Sequence, residues 1–279
     1  MQTVAIAGVG LIGASFGLAL RREGFSGPIL GVSSPDAISA ARQVGAISDA
    51  VSLDEACHRA NVLYLSQTVD RIAETLNAIG PLVSPETLVT DAGSTKVTIC
   101  AAAAQNLTGC CFVGGHPLAG KETRGAQSAD AGLFRGHLYI LTGVQGRTSP
   151  HLATFNGYLE KFGARIVQLT PEQHDQALAF TSHLPQIVST ALAAALSGQS
   201  NPHLRSVFGP GLLDMTRLAL SPSDIWSGIL NDNRDFVLQA IDCFCDQMKI
   251  ARRMVAEGTV EGIFDSARKF ALEVRKKPR

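Results

Sequence analysis

The sequence predicts an α/β protein, with a doubly wound parallel sheet at the N-terminus followed by an all-helical domain. Three observations carry this. A glycine-rich turn near the start of the chain is flanked by a strand-like and a helix-like segment. Apolar strand-like runs then alternate with helix-like segments as far as residue 169, which is the pattern of a parallel sheet. From residue 170 that alternation stops and the period becomes helical, so the chain divides into domains 1–169 and 170–279.

Thr3-Val4-Ala5-Ile6-Ala7 is an apolar strand-like run, and Gly8-Val9-Gly10-Leu11-Ile12-Gly13 follows it directly, ahead of a helix-like segment over 14–22. This is G-x-G-x-x-G in its strand–turn–helix setting, which makes the first domain a Rossmann-type dinucleotide-binding one. Gly8 makes the tight turn, Gly10 lets backbone approach a pyrophosphate, and Gly13 lets helix and strand pack closely. Leu11 and Ile12, between the glycines, are further cofactor-binding candidates, and the helix N-terminus presents unpaired N–H groups and a positive end to the phosphates. The second strand, 28–32, ends in Ser33-Ser34-Pro35-Asp36. An NAD site normally places Asp or Glu about 20 residues past the glycines to bind the ribose 2′-hydroxyl. Ser33 stands there instead, and Asp36 comes one turn too late. Small hydroxyls can donate to a 2′-phosphate that a carboxylate would repel. Ser33 and Ser34 therefore predict NADP, with NAD the alternative, although no arginine follows immediately to hold the phosphate.

Residues 37–44 read as a short helix, 62–66 as a strand, 70–79 as an amphipathic helix and 87–91 as another strand. That strand runs into Ala92-Gly93-Ser94-Thr95-Lys96 at the head of an alanine-rich helix. Cys111-Phe112-Val113 reads as a buried strand, followed by Gly114-Gly115-His116-Pro117-Leu118-Ala119-Gly120-Lys121-Glu122. The glycines and proline around His116 predict a tight turn that holds an imidazole at a strand end. Histidine ordinarily titrates near neutrality, so it can take a proton at physiological pH. The strand 137–141, the helix 151–162 and the strand 164–169 are expected to complete the parallel domain. Ligands of such sheets sit at the carboxyl ends of the strands, where both Ser94 and His116 fall.

Past Thr170-Pro171-Glu172 no convincing strand is expected. Residues 177–196 are apolar on nearly all sides but carry His183, Pro185 and Gln186, which makes them a poor membrane span. A helix that is hydrophobic all round is buried, and two copies of so small a domain would share it. A homodimer through the helical halves is expected. The closing Arg275-Lys276-Lys277-Pro278-Arg279 is expected to be a solvated, frayed tail. Of 279 residues, 46% are hydrophobic and 17% charged, enough to bury a sizeable core, and the net charge is zero. A neutral chain offers no basic field for nucleic acid or an anionic membrane. No charged-then-apolar leader precedes the first strand, so a cytoplasmic location is expected. The six cysteines form no C-x-x-C and no metal-ligand spacing, and they read as reduced, mostly buried thiols.

Further motifs spread along nearly the whole chain. Asp91-Ala92-Gly93-Ser94-Thr95-Lys96 and Gly115-His116-Pro117-Leu118-Ala119-Gly120-Lys121-Glu122 lie in the first half, with Gly125 and Leu133-Phe134 downstream. His174-Asp175, Ser182-His183-Leu184-Pro185, Asp214-Met215-Thr216-Arg217 and Trp226 lie in the second. With these the chain resembles the prephenate/arogenate dehydrogenase family of tyrosine biosynthesis. The resemblance implies that His116 is the catalytic base and that Ser94 hydrogen-bonds beside it near the nicotinamide. It implies that Arg217 binds the substrate's ring carboxylate with His183 nearby. Glu122, Asp214 and Trp226 would line the pocket, the last two as candidates to reach across the dimer. Lys121 departs from the family pattern, standing where members often carry a small hydroxyl residue. Leu213 departs too, replacing a basic residue usual before the Asp.

The implied chemistry suits these residue types. A cyclohexadienol with a ring carboxylate and a 4-hydroxyl (arogenate or prephenate) loses hydride from C4 to a nicotinamide while CO2 departs. A neutral His116 taking the hydroxyl proton would contribute roughly 10²–10⁴-fold. Arginine suits the carboxylate because its planar fork pairs bidentately. Taken singly, each residue has a plainer reading: Ser94 as a helix N-cap, Arg217 as a surface ion-pair member, His183 as a core histidine. Two other functions share the architecture. A 3-hydroxyacid dehydrogenase or imine reductase would need a different base, commonly a lysine on a C-terminal helix. A non-enzymatic NADP-binding redox sensor gives no reason for His116, Ser94 and Arg217 together.

Overall fold

The computed structural model describes residues 1–276. Its first strand, β1 (Val4–Ala7), is buried along its whole length, as a strand covered on both faces must be. After it come α1 (Leu11–Arg22), β2 (Ile29–Val32), α2 (Pro35–Gln43), β3 (Asp49–Ala50), α3 (Leu53–Arg59) and β4 (Val62–Leu65). Then follow α4 (Val69–Ile79), β5 (Leu88–Asp91), α5 (Val97–Asn106) and β6 (Cys111–Val113). These six strands are parallel in the order β3-β2-β1-β4-β5-β6. Side chains alternate across the sheet. Val4, Ile6, Val62, Tyr64 and Leu88 enter one buried cluster, which includes Phe16 of α1. Ala5, Ala7, Leu63, Leu65, Val89 and Phe112 enter the other, with α4 and α5. The chain winds outward from β1 to β3, then returns to β4 on β1's other side. The crevice between the ends of β1 and β4 is the switch point at which such sheets bind ligands.

Beyond β6 the chain builds β7 (Gly115–Pro117), β8 (Leu138–Leu141), β9 (Gln145–Gly146), α6 (Leu152–Lys161), β10 (Arg165–Gln168) and α7 (Pro171–Leu178). Here the structure corrects two expectations. The strands expected to complete the domain form a second sheet, of order β10-β8-β7, and only β9 joins the first, antiparallel to β6. His116 lies in strand β7, paired antiparallel to β8 opposite Ile140, rather than in a turn. The physical reason lies in what takes up the glycine N–H groups. Thr142 Oγ1 accepts from Gly114 at 3.0 Å and Asp91 Oδ1 from Gly115 at 2.9 Å, so the segment extends. Pro117 is tolerated because β7 is an edge strand. Tyr139 of β8 donates to the Tyr64 hydroxyl at 3.2 Å, and Tyr64 stacks on Phe16 with ring centroids 4.0 Å apart. Burial holds both phenols well above their ordinary pKa.

The remaining helices are α8 (Leu184–Ser197), α9 (Pro210–Thr216), α10 (Ser223–Asp232), α11 (Arg234–Glu257) and α12 (Glu261–Lys276). The chain sorts into two units, Met1–Ala177 with Ser221–Asn233, and Leu178–Leu220 with the chain from Arg234 onward. Residues 170–177 and 221–233, placed by sequence with the helical half, thus lie in the first unit. Asp175 bonds the start of α5, Ile229 of α10 is buried in the cluster with α4, and Thr95 donates to the Asp232 carboxylate.

The apolar run 177–196 is not one continuous α-helix. A π-helical turn, Ala179–His183, precedes α8, and α8 buries only Gln186 and Ser189. Val207, Leu220, Val255, Phe264 and Phe270 are exposed in the single chain. Arg275 and Lys276, expected in a frayed tail, close the last turn of α12, where cations suit the negative end of the helix. The rest of that tail, 277–279, lies outside the described residues. Cys57, Cys100, Cys110 and Cys111 are buried, but Cys243 and Cys245 are exposed on α11, contrary to expectation. Burial pushes the thiols of Cys57, Cys100 and Cys110 up to about 11. No helix among the described residues is long and apolar enough to cross a membrane.

Candidate active site

The three fingerprint glycines do three different things. Gly8 has φ +92°, and a Cβ there would meet the Ser66 carbonyl oxygen at 2.6 Å, so only glycine fits. Ser66 Oγ donates to Gly8 O at 2.7 Å and locks the turn against the end of β4. A Cβ on Gly13 would come within 2.2 Å of Gly8 O, which enforces the close packing of α1 on the sheet. A Cβ on Gly10 would meet nothing within 4 Å, so this stretch of backbone faces open space. Gly10 precedes α1 without a side-chain cap, which leaves the helix's first N–H groups directed at that space. A cavity of about 470 Å³ opens there, lined by Gly10, Leu11, Ile12, residues 66–70 after β4, and Ala92, Gly93 and Ser94 after β5. Its far wall is Lys121, residues 123–125 and the α10 residues Asp224, Ile225, Gly228 and Ile229. Bare backbone at a helix start, opening on a cavity at the switch point, fits a dinucleotide pyrophosphate. Ser33 and Ser34 are exposed at the end of β2, and the Ser34 hydroxyl makes no capping bond to α2.

Asp91, at the end of β5, organises what lies beyond. Its Oδ2 accepts from Gly93 N at 2.8 Å and its Oδ1 from Gly115 N at 2.9 Å. One carboxylate thus ties the loop carrying Ser94 to the strand carrying His116. Lys96 Nζ, fully buried, pairs with Asp91 Oδ2 and neutralises it. His116 is 9% exposed, and its Nδ1 lies 2.8 Å from Nε2 of His174. His174 Nδ1 lies 2.6 Å from Asp175 Oδ1. Asp175 also accepts from Lys96 N at 2.7 Å and Val97 N at 2.8 Å. It therefore caps α5 from another helix, and the plainer reading of Ser94 as that helix's N-cap does not hold.

Glu122 is exposed beyond β7, and Trp226 of α10 is half-buried against this chain's own cluster with α4. Lys121 donates to Ser128 O at 3.1 Å and lies 3.2 Å from Asp130 Oδ2, so its charge is compensated. Arg124 grips Asp224 with two bonds of 2.8 and 2.9 Å on the cavity wall, which holds the Asp224 carboxyl down at about 2. The structure brings Ser94, His116, Glu122, Trp226 and the cofactor-loop residues into the first unit. His183, Asp214 and Arg217 belong to the second. There His183 is buried at the end of the π-helical turn, Asp214 is exposed on α9, and Arg217 is exposed at the start of a 3-10 turn, Arg217–Leu220. His174 and Asp175 were visible in the sequence only as a motif. Nothing in their spacing linked them to His116.

Residues 16–168 match the family model for the prephenate dehydrogenase nucleotide-binding domain, and residues 170–269 match that for the prephenate dehydrogenase dimerization domain. Prephenate dehydrogenase of Bacillus subtilis (strain 168) is 31% identical over 94% of this chain and 72% of its own length. The crystal structure of prephenate dehydrogenase from A. aeolicus, in complex with hydroxyphenyl propionate and NAD+, superposes with a TM-score of 0.89 at 30% identity, covering 99% of this chain and 98% of that one. Synechocystis arogenate dehydrogenase gives a TM-score of 0.83 at 28% identity, covering 99% of both chains.

Proposed function

The chain belongs to the prephenate dehydrogenase family, and we propose that it converts arogenate to tyrosine by NADP-linked oxidative decarboxylation. On this reading prephenate, which would give 4-hydroxyphenylpyruvate, is the poorer substrate and NAD the poorer cofactor. The observation that carries it is the shared anchor Asp91, which fixes the Ser94 loop and the His116 strand together at the carboxyl end of the sheet. Gly8, Gly10, Leu11, Ile12 and Gly13 would hold the dinucleotide pyrophosphate, and Ser33 and Ser34 the 2′-phosphate. A nicotinamide held there would supply the acceptor for the hydride of ring C4. His116 accepts the 4-hydroxyl proton as that hydride leaves, and returns it to the phenolate once CO2 has gone. Ser94 hydrogen-bonds the same hydroxyl. By the family resemblance Arg217 would hold the ring carboxylate by a bidentate fork, with His183 nearby. The 3-hydroxyacid dehydrogenase, imine reductase and redox-sensor alternatives yield to the family match along both halves of the chain.

Arogenate carries an ammonium where prephenate has a keto group. Glu122 and Asp214 are anionic, Leu213 supplies no cation, and Lys121 is spent on Asp130. That balance favours the ammonium-bearing substrate. The A. aeolicus relative was solved with NAD+. The hydroxyl pair Ser33-Ser34, in place of an acidic residue, supports NADP here. The exposed apolar side chains of the second unit support a homodimer through the helical domain.

The test is kcat/KM for both dienols with both cofactors at fixed salt. The wild type should prefer NADP and arogenate. Ser33→Asp should shift preference toward NAD, and Leu213→Lys toward prephenate. Arg217→Lys should weaken both substrates, by up to about 1.5–3 kcal/mol for a lost charged contact. A wild type that prefers NAD overturns the cofactor assignment. Prephenate-biased values unmoved by Leu213→Lys overturn the substrate one.

A further inference from the structure

We propose that His174 and Asp175 form a positioning relay that holds His116 as the tautomer with hydrogen on Nδ1, making Nε2 the proton-accepting nitrogen. The catalytic consequence rests on the reading of His116 as the base; the tautomer itself does not.

The assignment follows from counting hydrogens along the chain of contacts. Asp175 caps α5, its two oxygens accepting from Lys96 N and Val97 N at 2.7 and 2.8 Å, so it meets His174 as an acceptor. His174 Nδ1, 2.6 Å from Asp175 Oδ1, must then carry the hydrogen. A neutral imidazole has a single N–H, which leaves His174 Nε2 as an acceptor. That nitrogen is 2.8 Å from His116 Nδ1, which therefore donates. The lone pair of His116 is then on Nε2. With His174 neutral, the opposite polarity would put the hydrogen on His116 Nε2, where it blocks proton uptake, and would face a bare His174 nitrogen toward a carboxylate.

Burial makes the relay stringent. His174 is fully buried and Asp175 is 1% exposed, so water does not offer either group another partner. Both are consecutive residues of α7, and Asn233 Nδ2 fixes their backbone by donating to Asp175 O at 2.8 Å. An imidazole in water favours hydrogen on Nε2. The relay thus imposes the less common form, which is the one that can act as a base through Nε2. When His116 takes up a proton there, its Nδ1–H keeps the bond to His174, so no ring has to turn.

The direct test is nitrogen NMR on the enzyme labelled with ¹⁵N-histidine, with no substrate added. Of the seven histidines, His116 is identified by the signals lost in His116→Asn. The expected result is a protonated Nδ1 and an unprotonated Nε2 in the wild type. His174→Leu should return His116 toward the Nε2-protonated form. It should also lower kcat about 10- to 100-fold, with KM and cofactor Kd little changed. His174→Gln, whose amide oxygen can accept from Nδ1, should recover part of that loss. In a His116→Asn background His174→Leu should cost nothing further, because its effect passes through His116. A wild-type His116 protonated on Nε2 overturns the proposal even if no His174 variant folds. An undiminished His174→Leu loss in the His116→Asn background overturns it as well, since that marks a purely structural role. The base reading fails separately if His116→Asn keeps wild-type kcat, a result on which the NMR signal does not depend.

Discussion

A histidine with 9% of its surface exposed, in a strand pinned at Gly114 and Gly115, has little freedom to swing. That constraint suits a proton acceptor, whose lone pair must be aimed before the substrate arrives. His116→Asn keeps a similar shape but cannot take the proton at neutral pH. It should retain cofactor affinity and fold while kcat falls by roughly 10²–10⁴-fold. Near wild-type kcat with intact cofactor binding would remove His116 from the base role. His116 could be read from sequence because its glycines and proline are its own neighbours. His174 could not, because it meets His116 across 58 positions of chain. The same holds for Ser94. Sequence left its capping role open because the residue that caps α5, Asp175, comes from a helix formed much later in the chain.

At the scale of elements, the loops of the site hang on one buried ion pair. Lys96 and Asp91 are both fully buried, and Asp91 carries the Gly93 and Gly115 N–H groups as well. Removing the cation strands a charge in the interior. Lys96→Met should therefore cost about 3–5 kcal/mol of stability, read by urea unfolding. A loss under 1 kcal/mol would show that the pair does not anchor the site. The β1–α1 unit was legible because a strand, three glycines and a helix follow one another without interruption. α3 was missed although its start signal was present, Ser52 accepting from Glu55 N at 3.1 Å in an S-x-x-E arrangement. β8 and β10 are legible as strands that complete the first domain, but not as members of a second sheet. Apolar alternation marks a strand but does not name its partner, and β8 pairs with β7 and β10 through contacts that no local pattern encodes.

For the whole molecule, the two-part architecture was readable from the change of period near residue 170. The return of 221–233 to the first unit was not, since Ile229 and Asn233 find their partners only in the folded chain. The second unit leaves Phe264, Phe270, Val255 and Leu220 exposed in a single chain, an apolar surface that calls for a partner. Sedimentation equilibrium should give twice the 29.4 kDa chain mass. A single-chain mass at micromolar concentration would contradict a homodimer. On the proposed function, hydride loss from C4 and departure of CO2 are one coupled event. Arogenate deuterated at C4 and NADP supplied to the enzyme test it most directly. Reduced cofactor, CO2 and tyrosine should appear in equal amounts, with the deuterium carried entirely on the nicotinamide. CO2 released without reduced cofactor, or deuterium lost to solvent, would contradict that coupling.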